Sequence, residues 1–156
     1  MSTWLKWLLL SGLVIALDQA TKAILTSAFR LGESLMLTPF FDLVFVFNRG
    51  AAFNFLSNAG GWQRWFFIIL ALIISAWIVA MLRRHAAEKL LPAALSLVLG
   101  GALGNVIDRI NHGAVVDFLS FHVAGYYWPA FNVADSAITV GVALMLWQQL
   151  TQGKTQ

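Results

Sequence analysis

The chain contains no cysteine and few charged residues. Only 11% of its 156 residues are Asp, Glu, Lys or Arg, against about 25% in an average soluble domain. Without cysteine, disulfides, thiolate nucleophiles and cysteine-based metal sites are all excluded. With 60% hydrophobic residues and a mean hydropathy of +0.77, the chain carries more apolar surface than one small globular core can bury. The same composition excludes a disordered chain, which is polar and charge-rich.

The long stretches without charge predict the architecture. Three charge-free runs of 18 residues occupy positions 65–82, 90–107 and 136–153. A helix of that length spans about 27 Å, close to a hydrocarbon core of about 30 Å. A fourth apolar segment, from Trp4 to about Thr26, is interrupted by two charges. We therefore predict an all-α membrane protein formed by one domain, residues 1–156, with transmembrane helices at roughly 6–26, 64–83, 89–108 and 134–151.

The basic residues predict the orientation. The short loop 83–89 carries three Lys or Arg residues, and such loops face the cytoplasm. Four crossings then place both termini on the cytoplasmic side and the long loops, 27–63 and 109–133, on the outer side. The first 17 residues are also compatible with a cleaved signal peptide, but cleavage would leave only three spans.

The outer loops have the composition of ordered structure. Residues 42–47 and 113–118 are rich in β-branched and aromatic side chains, which strands prefer. Residues 48–50 suit a turn, and 51–56 a return strand. We expect a small extracytoplasmic β-sheet at the bilayer surface. Aromatic residues suited to the membrane–water interface occur in the same part of the chain: Trp62, Trp65, Tyr126, Tyr127 and Trp128.

Two ionisable residues lie within the first apolar segment. Asp18 and Lys22 are four residues apart and share a helix face. Each would cost about 3 kcal/mol at membrane depth on insertion scales. One interpretation is an ion pair that neutralises both side chains. The other is that the pair also orients a neighbouring catalytic carboxylate or the substrate.

The end of the third predicted helix is unusually polar. Gly100 and Gly104 form a GxxxG pair, for which close helix packing is the simplest explanation. Asn105 and Arg109 share a face, and Asp108 is the nearest candidate partner for Arg109. The guanidinium of Arg109 suits a carboxylate or a peptide carbonyl.

Two aspartates on the outer side stand out. Asp117 lies among apolar residues, and Asp135 opens the fourth predicted helix, where a helix N-cap is an equally good interpretation. The loop between them is long enough to bring the two carboxyls together. Two close carboxyls in a poorly solvated site share one proton, as in aspartic proteases. Asp135, near a helix N-terminus, is expected to be ionised, and Asp117, among apolar side chains, to be protonated.

Other functions fit the sequence less well. A Ser–Lys dyad would require Lys22 to meet Ser120 or Ser136. A zinc site built from Asp117 and loop histidines lacks a recognisable spacing, so neither a metal nor another cofactor is expected. A net charge of +3 gives no reason to expect a nucleic-acid partner. A non-enzymatic transporter or assembly factor stays open, although no charged path crosses the predicted bundle.

Five motifs in order resemble the lipoprotein signal peptidase family of bacteria, also called signal peptidase II. They are DQATK at 18–22, NRGAAF at 48–53, GALGNVIDR at 101–109, GAVVDF at 113–118 and FNVADS at 131–136. The family fold is four helices with a small periplasmic sheet and a short periplasmic helix. The resemblance therefore implies an intramembrane aspartic endopeptidase of the inner membrane with its active site at the periplasmic face.

The resemblance also implies a substrate and a site. The substrates are diacylglyceryl-modified prolipoproteins, cut just before the lipidated cysteine, and membrane lipid surrounds them. Globomycin-type cyclic peptides inhibit the family, and we expect a monomer. Asp117 and Asp135 would form the catalytic dyad, with water attacking the peptide carbonyl and no covalent intermediate. The supporting residues would be Asp18, Lys22, Asn48, Gly50, Asn105, Asp108, Arg109 and Asn132.

Overall fold

A computed structural model of the protein describes residues 2–50, 56–57 and 59–152. This part of the chain contains four long helices and four strands, with one pair of strands after the first helix and one pair before the last. The helices are α1 (Thr3–Ala28), α2 (Gln63–Arg84), α3 (Leu90–His112) and α4 (Val133–Gln152). The strands are β1 (Ser34–Thr38), β2 (Phe41–Asn48), β3 (Val115–Val123) and β4 (Tyr126–Tyr127).

All four helices are long and apolar enough to cross a membrane. The predicted architecture of four apolar helices with a small sheet is therefore confirmed at this level. Large apolar side chains such as Ile69, Ile73 and Trp77 on α2 are more than half exposed. An unpartnered apolar face of this size is typical of a helix that contacts lipid.

The third helix is longer than expected and is the centre of the bundle. It continues to His112 and ends where Gly113 adopts a left-handed conformation with φ of 74°. Its neighbours are α1, α2 and α4. The interface with α2 is a core of Ile78, Leu82, Leu95 and Leu99. The extra turn places the polar residues at 105–109 inside α3, where helical geometry fixes their directions.

Small residues let the other helices approach α3 closely. The predicted GxxxG pair packs against α1: a β-carbon on Gly100 would lie 2.8 Å from the carbonyl oxygen of Ser11. On Gly104 it would lie 2.6 Å from a carboxyl oxygen of Asp18. Gly101 faces α4 instead, against the carbonyl oxygen of Ala134. No side chain fits in these positions without moving a backbone or the Asp18 carboxyl.

The strands form one antiparallel sheet in the order β1–β2–β3–β4. The β2–β3 register shifts by one residue between Leu43 and Val46, so that Val46 pairs with Asp117. Strand β3 starts two residues later than predicted, because Gly113 still belongs to the end of α3. The expected return strand at 51–56 falls mostly outside the described residues. The short helix implied by the resemblance is not among the elements assigned in the described part of the chain.

The sheet lies at one end of the bundle and the basic loop at the other. The sheet follows the end of α1, and β3 follows the end of α3 and leads to the start of α4. Arg83, Arg84 and Lys89 lie where α2 ends and α3 begins. The two features used to predict orientation are therefore separated by the length of the helices.

The contact at Gly101 yields a stability prediction. In Gly101→Ala the added methyl group meets the backbone of Ala134, so we expect the free energy of unfolding in detergent to fall by about 1–3 kcal/mol. The control is Gly12→Ala on α1, where a β-carbon meets nothing within 4 Å. There the better helix propensity of alanine should leave stability unchanged or slightly higher. Equal stabilities of the two variants would contradict this packing.

Candidate active site

The fold brings the two predicted catalytic aspartates to one place. Asp117 lies near the start of β3 and is 2% exposed, whereas Asp135 lies in the first turn of α4 and is only half-buried. The carboxyls are close enough for the charge of Asp135 to affect the titration of Asp117. A buried carboxyl and a more accessible one therefore face a common space.

Asn132 joins the two aspartates. Its Nδ2 donates to Oδ1 of Asp117 at 2.7 Å, and its Oδ1 accepts from the backbone N–H of Asp135 at 2.9 Å. Because a backbone N–H can only donate, this bond fixes which end of the amide faces Asp117. Asn132 is fully buried, so water does not compete for the two hydrogen bonds of the bridge.

Asn132, and not Asp135, is the N-cap of α4. Its side chain accepts the N–H three positions later, which is the usual capping bond. The N-cap interpretation of Asp135 is therefore wrong. The carboxyl of Asp135 instead accepts a bond from Nδ2 of Asn105 at 2.8 Å, and it stays directed into the site.

Lys22 is the buried centre of the polar cluster. Its Nζ lies 2.8 Å from Oδ2 of Asp18, 2.7 Å from Oδ2 of Asp108 and 3.1 Å from Oδ1 of Asn105. These three acceptors match the three hydrogens of an ammonium group. All four side chains are buried. The expected Asp18–Lys22 ion pair thus exists, but Lys22 also binds a second carboxylate, that of Asp108, and the amide oxygen of Asn105.

The two carboxylates bound to Lys22 hold the segments that carry the dyad. Oδ1 of Asp18 accepts the backbone N–H of Ala134 at 2.9 Å, the residue before Asp135. Oδ2 of Asp108 accepts the backbone N–H of Val116 at 3.0 Å, the residue before Asp117. One ammonium therefore stabilises two anchors, one on each side of the site. This geometry favours the interpretation that the pair orients the carboxyls.

Asp108 is not the partner of Arg109, contrary to the expectation from sequence. Successive residues of a helix point in different directions, so Asp108 faces Lys22 while Arg109 faces the opposite side. The Nη2 atom of Arg109 donates to the carbonyl oxygen of Gly50 at 3.0 Å. Its guanidinium lies over the ring of Phe67 at 5.0 Å. Its Nε is buried and has no hydrogen-bond partner among the described residues.

Asn48 holds the other side of Asp117. Its Nδ2 donates to Oδ2 of Asp117 at 3.1 Å, and its Oδ1 accepts from the backbone N–H of Gly50 at 3.0 Å. Each carboxyl oxygen of Asp117 therefore receives one amide donor. Asn48 and Gly50 also connect Asp117 to Arg109, so all the residues expected at the site lie in one network.

Gln19 belongs to the network and is absent from the predicted site. Its Nε2 donates to Oδ1 of Asp108 at 2.9 Å and lies 3.2 Å from both Oδ2 of Asp18 and the carbonyl oxygen of Gly104. The sequence feature that marks Gln19 is its position within an apolar segment, three residues before Lys22. Because Gln19 is polar but uncharged, it is not found when only charged residues four positions apart are considered.

Burial gives Asp117 an unusual titration. Desolvation raises the pKa of Asp117 from 3.8 to about 7, and the charge of Asp135 acts in the same direction. The bonds from Asn48 and Asn132 and the charge of Lys22 lower the pKa, but they offset only part of the increase. Asp117 thus titrates in the range where a group can both hold and release a proton at neutral pH.

The geometry bears on the competing chemistries. All three ammonium hydrogens of Lys22 are directed at oxygens of Asp18, Asp108 and Asn105, and the hydroxyl of Ser136 donates to the carbonyl oxygen of Asn132. This arrangement disfavours a Ser–Lys dyad. Across residues 2–50, 56–57 and 59–152, no group of three or more His, Asp or Glu side chains is placed to hold a metal ion.

The apolar helices and their buried acid cluster define a multi-pass membrane protein, and its relatives specify the class. A family profile described as signal peptidase (SPase) II matches residues 10–151. The lipoprotein signal peptidase of Azoarcus sp. (strain BH72) is 59% identical over 150 residues, which cover 96% of this chain and 85% of that protein. That of Cupriavidus pinatubonensis is 54% identical over 149 residues, with the same coverage. The chain therefore belongs to the signal peptidase II family.

Solved structures agree with this assignment. One structure, described as a bacterial membrane enzyme, superposes with a TM-score of 0.87 at 35% identity and covers 97% of this chain and 91% of its own. A second, with the same description, has a TM-score of 0.81 at 36% identity and covers 93% and 92%. Both matches extend over nearly the whole chain, so the shared fold includes the sheet as well as the helices.

The Lys22 cluster yields a second stability prediction. In Lys22→Met, the buried carboxylates of Asp18 and Asp108 lose their shared cation. We expect the free energy of unfolding to fall by about 3–5 kcal/mol, as when a buried ion pair loses one partner. The control is Lys6→Met, because Lys6 is exposed on the same helix. Chemical unfolding in detergent measures both variants, and a Lys22→Met variant as stable as the control would contradict the cluster.

Proposed function

We propose that the chain is an aspartic endopeptidase that removes signal peptides from diacylglyceryl-modified prolipoproteins, cutting just before the lipidated cysteine. The observation that carries this proposal is the Asn132 bridge, which couples Asp117 on β3 to the first turn of α4 at Asp135. Two carboxyls held in this way can share one proton and activate a water between them. No cofactor enters the proposed reaction.

In the proposed mechanism the two carboxyls have different roles. Asp117, with a pKa of about 7, holds the proton and donates a hydrogen bond to the carbonyl oxygen of the scissile peptide. Asp135, half-buried at the positive end of α4, is ionised and takes a proton from the attacking water. The proton on Asp117 then helps the amine to leave. No covalent bond to the enzyme forms.

The supporting residues divide into two groups in this proposal. Asn48 and Asn132 each donate to a carboxyl oxygen of Asp117, so their role in the proposal is to orient this carboxyl. Arg109 donates from Nη2 to Gly50 and from Nη1 to the carbonyl oxygen of Asn105, which leaves part of its five N–H donors for a ligand. Arg109 is thus the side chain best placed to bind a peptide carbonyl of the substrate.

The proposed setting is the inner membrane of a bacterium, with the active site at the periplasmic face. The basic loop at 83–89, at the far end of the bundle from the sheet, is then cytoplasmic, as are both termini. The acyl chains of the substrate stay in the bilayer beside the apolar helix faces. A globomycin-type peptide would compete at the dyad, and a monomer suffices because one chain contributes both aspartates.

A transporter or assembly factor is a weaker candidate. The buried charged groups of the described bundle, Asp18, Lys22 and Asp108, are at the sheet end. The buried polar residues nearer the other end are serines, and Ser11 donates to the carbonyl oxygen of Ser96 at 2.9 Å. A polar path would need groups that extend through the whole bilayer.

The dyad is tested by cleavage of purified, diacylglyceryl-modified prolipoprotein. We expect Asp117→Asn and Asp135→Asn each to lower the cleavage rate by about 10²–10⁴-fold, because each removes a general acid or base. The control is Asp42→Asn, a buried aspartate of β2 that pairs with His122 outside the site. It should retain most of the activity.

Folding must be separated from catalysis in this test. Each variant is first compared with the wild type by size-exclusion profile and thermal unfolding in the same detergent. If a folded Asp117→Asn or Asp135→Asn variant cleaves at the rate of the Asp42→Asn control, the dyad is wrong. Loss of activity in Ser120→Ala or Ser136→Ala, with both aspartate variants active, would favour the Ser–Lys chemistry instead.

A further inference from the structure

A second polar pocket lies beside the proposed active site and has no part in the proposed reaction. It has a volume of about 510 Å³ and lies between the start of α2 and the end of α3. Arg49, Arg64 and His112 supply its basic lining, and none of the described residues that line it is acidic. The pocket is therefore a concentration of positive charge at the sheet end of the bundle.

Neither arginine of this pocket has an acidic partner. In the part of the chain that the structure describes, the ion pairs involve only Lys22 and His122 as the basic residues. Arg49 is exposed at the end of β2. Two uncompensated guanidinium groups beside one opening favour an anionic ligand, because a cleft lined by one sign of charge raises the local concentration of the opposite ion.

Arg64 is fixed in position by its contacts and still has N–H donors available for a ligand. Its Nη2 donates to the carbonyl oxygen of Ile110 at 2.9 Å, and its guanidinium stacks over the Trp65 ring at 4.8 Å. Its Nη1 lies beside Gly113, at an ordinary van der Waals distance of 3.8 Å from where a β-carbon would be. A guanidinium has five N–H donors. Its Nε is buried without a partner among the described residues.

The surroundings indicate the kind of anion. Trp62, just before α2, and Trp65, in its first turn, are 55% and 57% exposed, and exposed tryptophans at the end of an apolar helix mark the membrane–water interface. Phosphate groups of lipids are the abundant anions at that level. The planar fork of arginine binds phosphate oxygens in pairs, which matches two arginines around one opening.

We propose that this pocket binds a phosphate ester, through Arg49 and Arg64. Two sources share this chemistry: the headgroup of a phospholipid and a soluble phosphate ester. With a phospholipid bound, the site would hold Arg49 and the start of α2 at the membrane surface, next to the active site. This inference does not depend on the peptidase mechanism, because its test measures binding and not cleavage.

The test is a titration of the full-length protein, freed of lipid in a neutral detergent, with thermal unfolding as the readout. Three short-chain or soluble probes are compared: dioctanoyl phosphatidylglycerol, dioctanoylglycerol without phosphate, and glycerol 1-phosphate without acyl chains. We expect saturable stabilisation by a phosphate-containing probe and none by dioctanoylglycerol. Stabilisation by the phospholipid alone identifies a headgroup site, and equal stabilisation by glycerol 1-phosphate identifies a soluble ester as the source.

Variants assign the binding to the pocket. Arg64→Gln and Arg49→Gln should each weaken the apparent affinity by about tenfold or more, the expected loss for charge-assisted hydrogen bonds. The control is Arg83→Gln, because Arg83 is on the same helix and also stacks over a tryptophan, Trp4, but at the opposite end. If Arg64→Gln does not fold, the affinity of the Arg49→Gln variant decides, because Arg49 is exposed. Unchanged affinity in the folded variants, or equal stabilisation by dioctanoylglycerol, would overturn the proposal.

Discussion

The buried ammonium of Lys22 is the interaction on which the rest of the site depends. A lone cation at this depth is expensive, and two carboxylates and an amide oxygen surround it. The same carboxylates bind the backbone N–H groups of Ala134 and Val116. The charge that neutralises the cluster therefore also positions the two segments that carry the proposed dyad.

This arrangement joins elements that are far apart in the chain. Lys22 and Asp18 come from α1, Asp108 from α3, and the segments that they hold come from β3 and α4. Hydrophobic packing between lipid-facing helices is weak, because lipid tails are as apolar as the side chains. Close contacts at small residues such as Gly101 and a buried polar cluster supply the specific fit that the apolar faces lack.

Much of the fold was predictable because charge is excluded from the hydrocarbon core. The three charge-free runs located α2, α3 and α4, the interrupted apolar segment located α1, and β-branched residues located β2 and β3. The end of α3 was placed too early, since the interfacial charges of Asp108 and Arg109 look like the end of a span, and Gly113 is the actual stop. The meeting of Asp117 and Asp135 was proposed from their chemistry, and the structure brings them together.

The finer pairing within the site could not be read from the sequence. Asp108 was assigned to Arg109 by proximity along the chain, but the helical turn directs it to Lys22. An N-cap role was one of two interpretations of Asp135, but Asn132, which has equal propensity and the right spacing, caps α4. Both points concern the direction in which a side chain points. Residue type and spacing suggested which side chains gather, and the packing of α1 against α3 decides which atoms meet.

The central claim is that Asp117 and Asp135 share one proton, and infrared spectroscopy of the C=O stretch of a protonated carboxyl tests it most directly. Because burial raises the pKa of Asp117 to about 7, its proton should be present below that pH and lost as the pH rises through it. The account predicts a carboxylic-acid band that disappears with a midpoint near this value and is missing in Asp117→Asn. A wild-type protein without the band in mildly acidic solution, or an unchanged band in Asp117→Asn, would contradict it.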